Sequence, residues 1–261
     1  MPAIYAHYHM GHALLPTLPA DARRTIRRFR QLYDVGLHGP DILFYHSPIV
    51  RSNIGILGSK FHAQTGQEFF HRACRVARQE KSEAAQAYLY GVLCHYALDS
   101  ACHPFVIEQA QKGIATHTEI ESEFERFLLT MDGKIPPESQ NLSAHLHLTH
   151  GECETVAKFY PPVTTRNIKT SLRNMALVTK LLAAPEGPRR TLVRKGAGMF
   201  GAHISAMMIP SAPNPKCTVL NQQMLELYNR AIADFPILVE QLQAHMTYNG
   251  LFDEAFTKIF G

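Results

Sequence analysis

Between Ser82 and Pro104 the chain carries a helical pattern that also holds three residues costly to bury. Ala85, Leu89, Val92, Leu93 and Tyr96 recur along one face, and Ser82 stands where it can cap the first turn. His95, Asp99 and His103 recur at i, i+4 and i+8, so they too share a face. In a chain of this composition about 0.02 such His-x3-Asp-x3-His patterns are expected by chance. One reading is a polar seam between packed helices; the other is a metal site. At about 1.5 Å rise per residue the two histidines of an unbroken helix stand about 12 Å apart. One ion, with bonds of about 2.1 Å, would struggle to take both. Asp99 lies between them with two oxygens and can bridge, which points to more than one metal. Pro104 disfavours the α conformation at His103, so the chain is expected to turn there.

The remaining patterning is also helical, and β-branched alternation with turn dipeptides is nearly absent. Helices are expected over Pro19–Tyr33, ended by Gly36, and near Gln64–Arg78 and Thr116–Met131. Lys134-Ile135-Pro136-Pro137 is the clearest break. Beyond it the pattern predicts helices near Leu142–Phe159, Thr165–Leu182 and Leu220–Met246, with a short one at Leu251–Phe260. The fold class is therefore all-α: a compact multi-helix domain with a polynuclear metal site in a cleft between helices. Residues 1–134 form its metal-binding core, and 135–261 a helical region packed on that core as one unit.

With 46% hydrophobic and 18% charged residues the chain is globular, and a formal charge of +4 is too small to imply nucleic acid. Five cysteines without a C-x-x-C favour buried reduced thiols over a disulfide framework. No signal-like opening and no membrane-spanning run is visible, so a cytoplasmic location is expected.

Histidine is in excess, at 15 of 261 residues. His117 and Glu121 stand at i, i+4 on the helix after the seam; Asp41 follows Gly39-Pro40; His62 precedes the helix at Gln64; His7 lies near the start. Singly these read as a surface pair, turn chemistry, a cap and a packing residue. Together His7, Asp41, His62, His95, Asp99, His103, His117 and Glu121 make eight nitrogen and oxygen donors without a thiolate. That set suits two or three zinc ions in a hydrolytic site better than a structural Cys-rich one. Less specific features are the arginines Arg23, Arg24, Arg27, Arg28 and Arg30, a solvated face or a dock for anionic lipid head groups. Arg189–Gly198 reads as a basic surface loop. His145, His147, His150 and Cys153 gather near one helix, and His38, Tyr45 and Tyr96 flank candidate ligands.

With these residues in view, the chain resembles the zinc-dependent phospholipase C family, related to the single-strand-specific zinc nucleases. The resemblance rests on Ala6-His7-Tyr8, Gly39-Pro40-Asp41, Ser59-Lys60-Phe61-His62, Gly91-x3-His95-Tyr96-x2-Asp99-x3-His103-Pro104 and His117-x3-Glu121, in the family's order, over roughly residues 5 to 130. It implies an all-α fold with a zinc cluster at the base of a cleft. Asp41, His62, His95 and a bridging Asp99 would hold one zinc, His103, His117 and Glu121 a second, and His7 with the N-terminal amine a third. Two departures mark this chain: it has no tryptophan, and Asp99 and His103 are closer in sequence than in the secreted enzymes. The third site would then need removal of Met1 and the Pro2 amine. The implied activity is hydrolysis of a phosphodiester, phospholipid first, by metal-activated water with Asp41 as general base. Alternatives are a single-strand nuclease or a non-catalytic helical metal-binding module. A contact with anionic membrane is an expected partner interaction.

Overall fold

A computed structural model describes residues 4–199 and 205–261. Eleven α-helices are named here: α1 (Ile4–Leu14), α2 (Ala20–Arg28), α3 (Arg30–Gly36), α4 (Asn53–His62), α5 (Gly66–Glu80), α6 (Glu83–Gln111), α7 (His117–Met131), α8 (His150–Ala157), α9 (Thr165–Leu182), α10 (Pro188–Met199) and α11 (Thr218–Tyr248). Among the described residues β-pairing amounts to one isolated bridge, Thr65 with Ile259.

Local chemistry sets most of the starts. Thr65 with Glu68, Thr116 with Glu119 and Thr149 with Glu152 form reciprocal capping boxes at α5, α7 and α8, and the Ser82 side chain accepts from the Ala85 N–H at α6. The long helix α6 is buried on nearly every side from Ala85 to Asp99 and packs against α1, α2, α3, α5, α7, α8 and α11. It is the axis of the molecule, as an apolar-all-round helix must be. Its closest approach is to α3: a β-carbon on Gly36 would stand 2.5 Å from the Tyr88 carbonyl oxygen, and one on Gly91 would meet the α3 backbone. One apolar cluster runs from Ile4 to Phe260, drawing on residues either side of Lys134. All five cysteines are buried and unpaired. No helix among the described residues is long and apolar enough to cross a membrane.

Several local expectations are overturned. The Pro19–Tyr33 helix is broken at Phe29 (φ −121°, ψ 44°), which frees α3 to lie against α6. The Leu142–Phe159 segment becomes helical only at His150, where the capping box fixes the start; the preceding turns are tied down by Gln31, which donates to the His145 carbonyl. Arg189–Gly198 lies within α10, not a loop, because Arg190 is buried and donates to the Ala184 and Ile209 carbonyls at 2.9 and 2.8 Å. Leu251–Phe260 holds only a 3₁₀ turn at Glu254–Thr257. Its carbonyls are consumed by other elements: the Tyr96 hydroxyl donates to Ala255 and Lys258, and the Gly66 N–H to Lys258. Pro104 does not turn the chain. Helix α6 runs through it to Gln111, since the one backbone bond it removes is outweighed by burial of Cys102, His103 and Val106 on either side.

Candidate metal centre

Four elements converge on the α6 seam. Helix α1 supplies His7, the 3₁₀ segment Gly39–His46 supplies Asp41, the end of α4 supplies His62, and the start of α7 supplies His117 and Glu121. Gly39 is needed at its turn: its φ is +45°, and a β-carbon there would stand 2.5 Å from the His95 ring. Seven of the eight candidate ligands are buried and His117 is half-buried.

Three groups of donor atoms result: His7 with His95 and Asp99; Asp41 with His62 and His95; His103 with His117 and Glu121. His7 Nε2 lies 3.1 Å from Asp99 Oδ1 and His95 Nε2 3.1 Å from Asp99 Oδ2, so both carboxylate oxygens of Asp99 are engaged. His62 Nε2 stands 3.0 Å from Asp41 Oδ1. Glu121 Oε1 lies 2.9 Å from His117 Nε2 and 3.3 Å from His103 Nε2. As the spacing argument required, the seam divides: His95 joins the first two groups and His103 the third.

The donors fit a metal. Two ligands about 2.05 Å from a tetrahedral zinc are about 3.3 Å apart, and the pairs here span 2.9–3.3 Å. His62 Nε2, Asp41 Oδ1, His95 Nε2 and Asp99 Oδ2 are buried without a hydrogen-bond partner despite these short distances. Lone pairs that converge without a shared proton are what a cation needs, and are otherwise costly in an apolar interior. The second nitrogen of two rings is already committed: His62 Nδ1–H donates to the Gly58 carbonyl at 2.8 Å, and His103 Nδ1–H to the Phe260 carbonyl at 3.2 Å. That tautomer leaves each Nε2 as a ligand.

The electrostatics agree. Burial alone would raise the Asp99 carboxyl, but His103, His95 and His7 hold it well below the usual range. Despite burial the Glu121 carboxyl lies down at about 2, and the His103 and His117 rings are among the groups that lower it. His103, opposed by burial but drawn by Asp99 and Glu121, is pushed up to about 9. The buried His95 is lowered. A dense anionic site thus favours the protonated form of His103, whose proton a metal would displace.

The Pro2 amine, expected as part of a third site, lies outside the described residues. Of the flanking residues, His145 is buried and its Nε2 meets His38 Nε2 at 2.6 Å, while His147 and His150 are exposed. Tyr45 is buried near Asp41, and Tyr96 spends its hydroxyl on the segment after α11. Two groups escaped the sequence reading. Glu125, one turn beyond Glu121, accepts the Tyr5 and Ala6 N–H groups, capping α1 just ahead of His7. Burial pushes its carboxyl up to about 8. Its i, i+4 spacing from Glu121 was the available signal. Phe260 had none, because only tertiary structure brings it to His103.

No curated protein and no solved structure matches the chain. A family model described as "Zinc dependent phospholipase C" matches residues 6–174, running beyond Lys134 into α9. The match takes in every donor of the three groups and covers more than half of the chain: this protein belongs to the zinc-dependent phospholipase C family.

Proposed function

We propose that the protein is a zinc-dependent phosphodiesterase acting on phospholipid, with His7, Asp41, His62, His95, Asp99, His103, His117 and Glu121 as ligands of two or three ions. The observation that carries this reading is the convergence of three donor groups in which the buried His62 Nε2, Asp41 Oδ1, His95 Nε2 and Asp99 Oδ2 lack hydrogen-bond partners. Bound zinc lowers the pKa of a coordinated water to about 7 and neutralises phosphoryl charge. Asp99, with an oxygen toward each of His7 and His95, holds neighbouring donor sets in register. Asp41 is the general base. Buried, its carboxyl is nonetheless held well below the usual carboxylate range, so it stands ionised at neutral pH with the His62 imidazole 3.0 Å away.

A groove of about 380 Å³ beside α9 favours a lipid over a single-stranded nucleic acid. Leu146, Leu148 and Leu177 line it together with Lys169, Arg173 and Lys180. Its described lining has neither a carboxylate nor a Phe, Tyr or Trp on which a base could stack. Helix α9 also rests on the Asp41 segment, where Asn167 and Asn174 donate to His46 at 3.2 and 3.1 Å.

Elemental analysis of the purified protein tests the reading, paired with hydrolysis assays on phosphatidylcholine vesicles and single-stranded DNA with and without chelator. Two or three zinc per chain with chelator-sensitive release of phosphocholine is the expected result. Cleavage of DNA alone would favour the nuclease, and one metal without turnover a binding module.

A further inference from the structure

The segment after α11 reaches the metal centre, and nothing in the helical pattern anticipates it. The chain leaves α11 at Asn249 in the left-handed conformation (φ 57°, ψ 38°) and doubles back over α5 and α6. It is anchored along its length. His245 Nδ1–H donates to the Gly250 carbonyl at 2.6 Å, Tyr96 Oη–H to those of Ala255 and Lys258 at 2.7 and 3.0 Å, and the Gly66 N–H to Lys258 at 2.9 Å. Thr65 and Ile259 then pair as an antiparallel bridge. The strap delivers the fully buried Phe260 ring among Phe69, Phe70, Tyr96, His62 and His95, with centroid separations from 4.8 Å to Tyr96 to 6.3 Å to His62. Its carbonyl lies 3.2 Å from His103 Nδ1, and the Gly261 N–H donates to the His62 carbonyl at 3.3 Å.

We propose that Phe260, held by the strap of residues 249–261, is a positioning residue of the metal centre: its main-chain carbonyl fixes His103 with Nε2 turned toward Glu121 and His117. Two acceptors compete for the His103 Nδ1–H. Asp99 Oδ2 stands at 3.7 Å, beyond hydrogen-bond reach, and the Phe260 carbonyl at 3.2 Å. A carboxylate is the stronger acceptor, so a free ring would swing toward Asp99. That swing would take Nε2 away from Glu121 and draw Asp99 away from His95. The Phe260 carbonyl prevents both by occupying Nδ1–H in the other direction, which is how an outer partner orients a ligating histidine. The fit has no slack. A β-carbon at Gly261 would land on His103 Nδ1, so a side chain at position 261 cannot coexist with the present contact.

The inference rests on the zinc reading above, and its test separates the two. Full-length protein, the Gly261→Ala variant and a chain lacking Phe260 and Gly261 are loaded with zinc against a competing chelator, then with Co²⁺ for its electronic spectrum. Zinc bound by the unaltered chain tests the metal reading; the difference between chains tests the strap. Gly261→Ala should bind one ion about 10–100-fold more weakly and keep the others at unchanged affinity, and the shortened chain, which also loses the Phe260 ring against His62 and His95, should weaken that same ion most. The Co²⁺ bands of that one ion should shift, and hydrolysis should fall with its occupancy. Unchanged affinities and spectra in both variants would overturn the proposal. So would parallel weakening of every ion with a lower Tm in chelator, because that pattern means the strap only supports the fold.

Discussion

Asp99→Asn tests the centre at the residue that links its donor sets. In the present geometry each oxygen of Asp99 faces one imidazole at 3.1 Å, and both partners are buried. Asparagine keeps the shape but replaces one oxygen with an NH₂ group and removes the charge. One of His7 and His95 then faces an NH₂ group instead of an oxygen, and any cation loses an anionic ligand. A hydrogen bond to a charged group contributes about 1.5–3 kcal/mol, and stripping one partner from a buried ionic pair costs about 3–5 kcal/mol. At about 1.4 kcal/mol per factor of ten, zinc should bind roughly 10²- to 10³-fold more weakly at the ions Asp99 contacts. The assay is a chelator-competition titration read alongside zinc content and phosphodiester hydrolysis. The ion at His117 and Glu121 should be affected least, because Asp99 approaches that group only through His103 at 3.7 Å. An Asp99→Asn protein that keeps its full zinc content and full activity would refute the bridging geometry.

Glu125 has a folded pKa of about 8, above its unfolded value, so between about pH 4.5 and 8 the folded chain holds a proton the unfolded one has lost. In chelator, stability should therefore fall with rising pH across that window, and Glu125→Gln, which still accepts the Tyr5 and Ala6 N–H groups, should flatten the slope in denaturant melts. His103, raised to about 9, must release its proton to bind zinc, so affinity at its group should climb from pH 7 to 9 and calorimetry in buffers of different ionisation enthalpy should register proton release. Gly91→Ala sets a methyl group against the α3 backbone and should destabilise the fold by about 1–3 kcal/mol, measured as a lower urea midpoint at unchanged m. Charge reversal of Lys169, Arg173 and Lys180 should abolish sedimentation with anionic vesicles while leaving hydrolysis of a small soluble phosphodiester intact; retained sedimentation would remove the groove from the substrate argument.

What the sequence determined by itself is what is decided within a few residues. The 3.6-residue periodicity marked α5, α7 and α9 nearly to their ends, because residues along one helix face are local neighbours in any fold. The i, i+4 spacing of His95, Asp99 and His103 also put the metal question on the page, since residues four apart on a helix share a face in any fold. Local rules misled where distant groups outweighed them. Pro104 continues a helix that is packed on both sides, Arg190 is drawn into a helix by two remote carbonyls, and residues 251–260 give their carbonyls to Tyr96 and Gly66 instead of to a helix of their own. The grouping of ligands belongs wholly to tertiary structure. Whether His7 would meet Asp99, or the Phe260 carbonyl His103, depends on how separate helices pack around α6. Burial then turns the convergence into chemistry: excluded from water, these carboxylates and imidazoles have only one another, or a cation, to satisfy them.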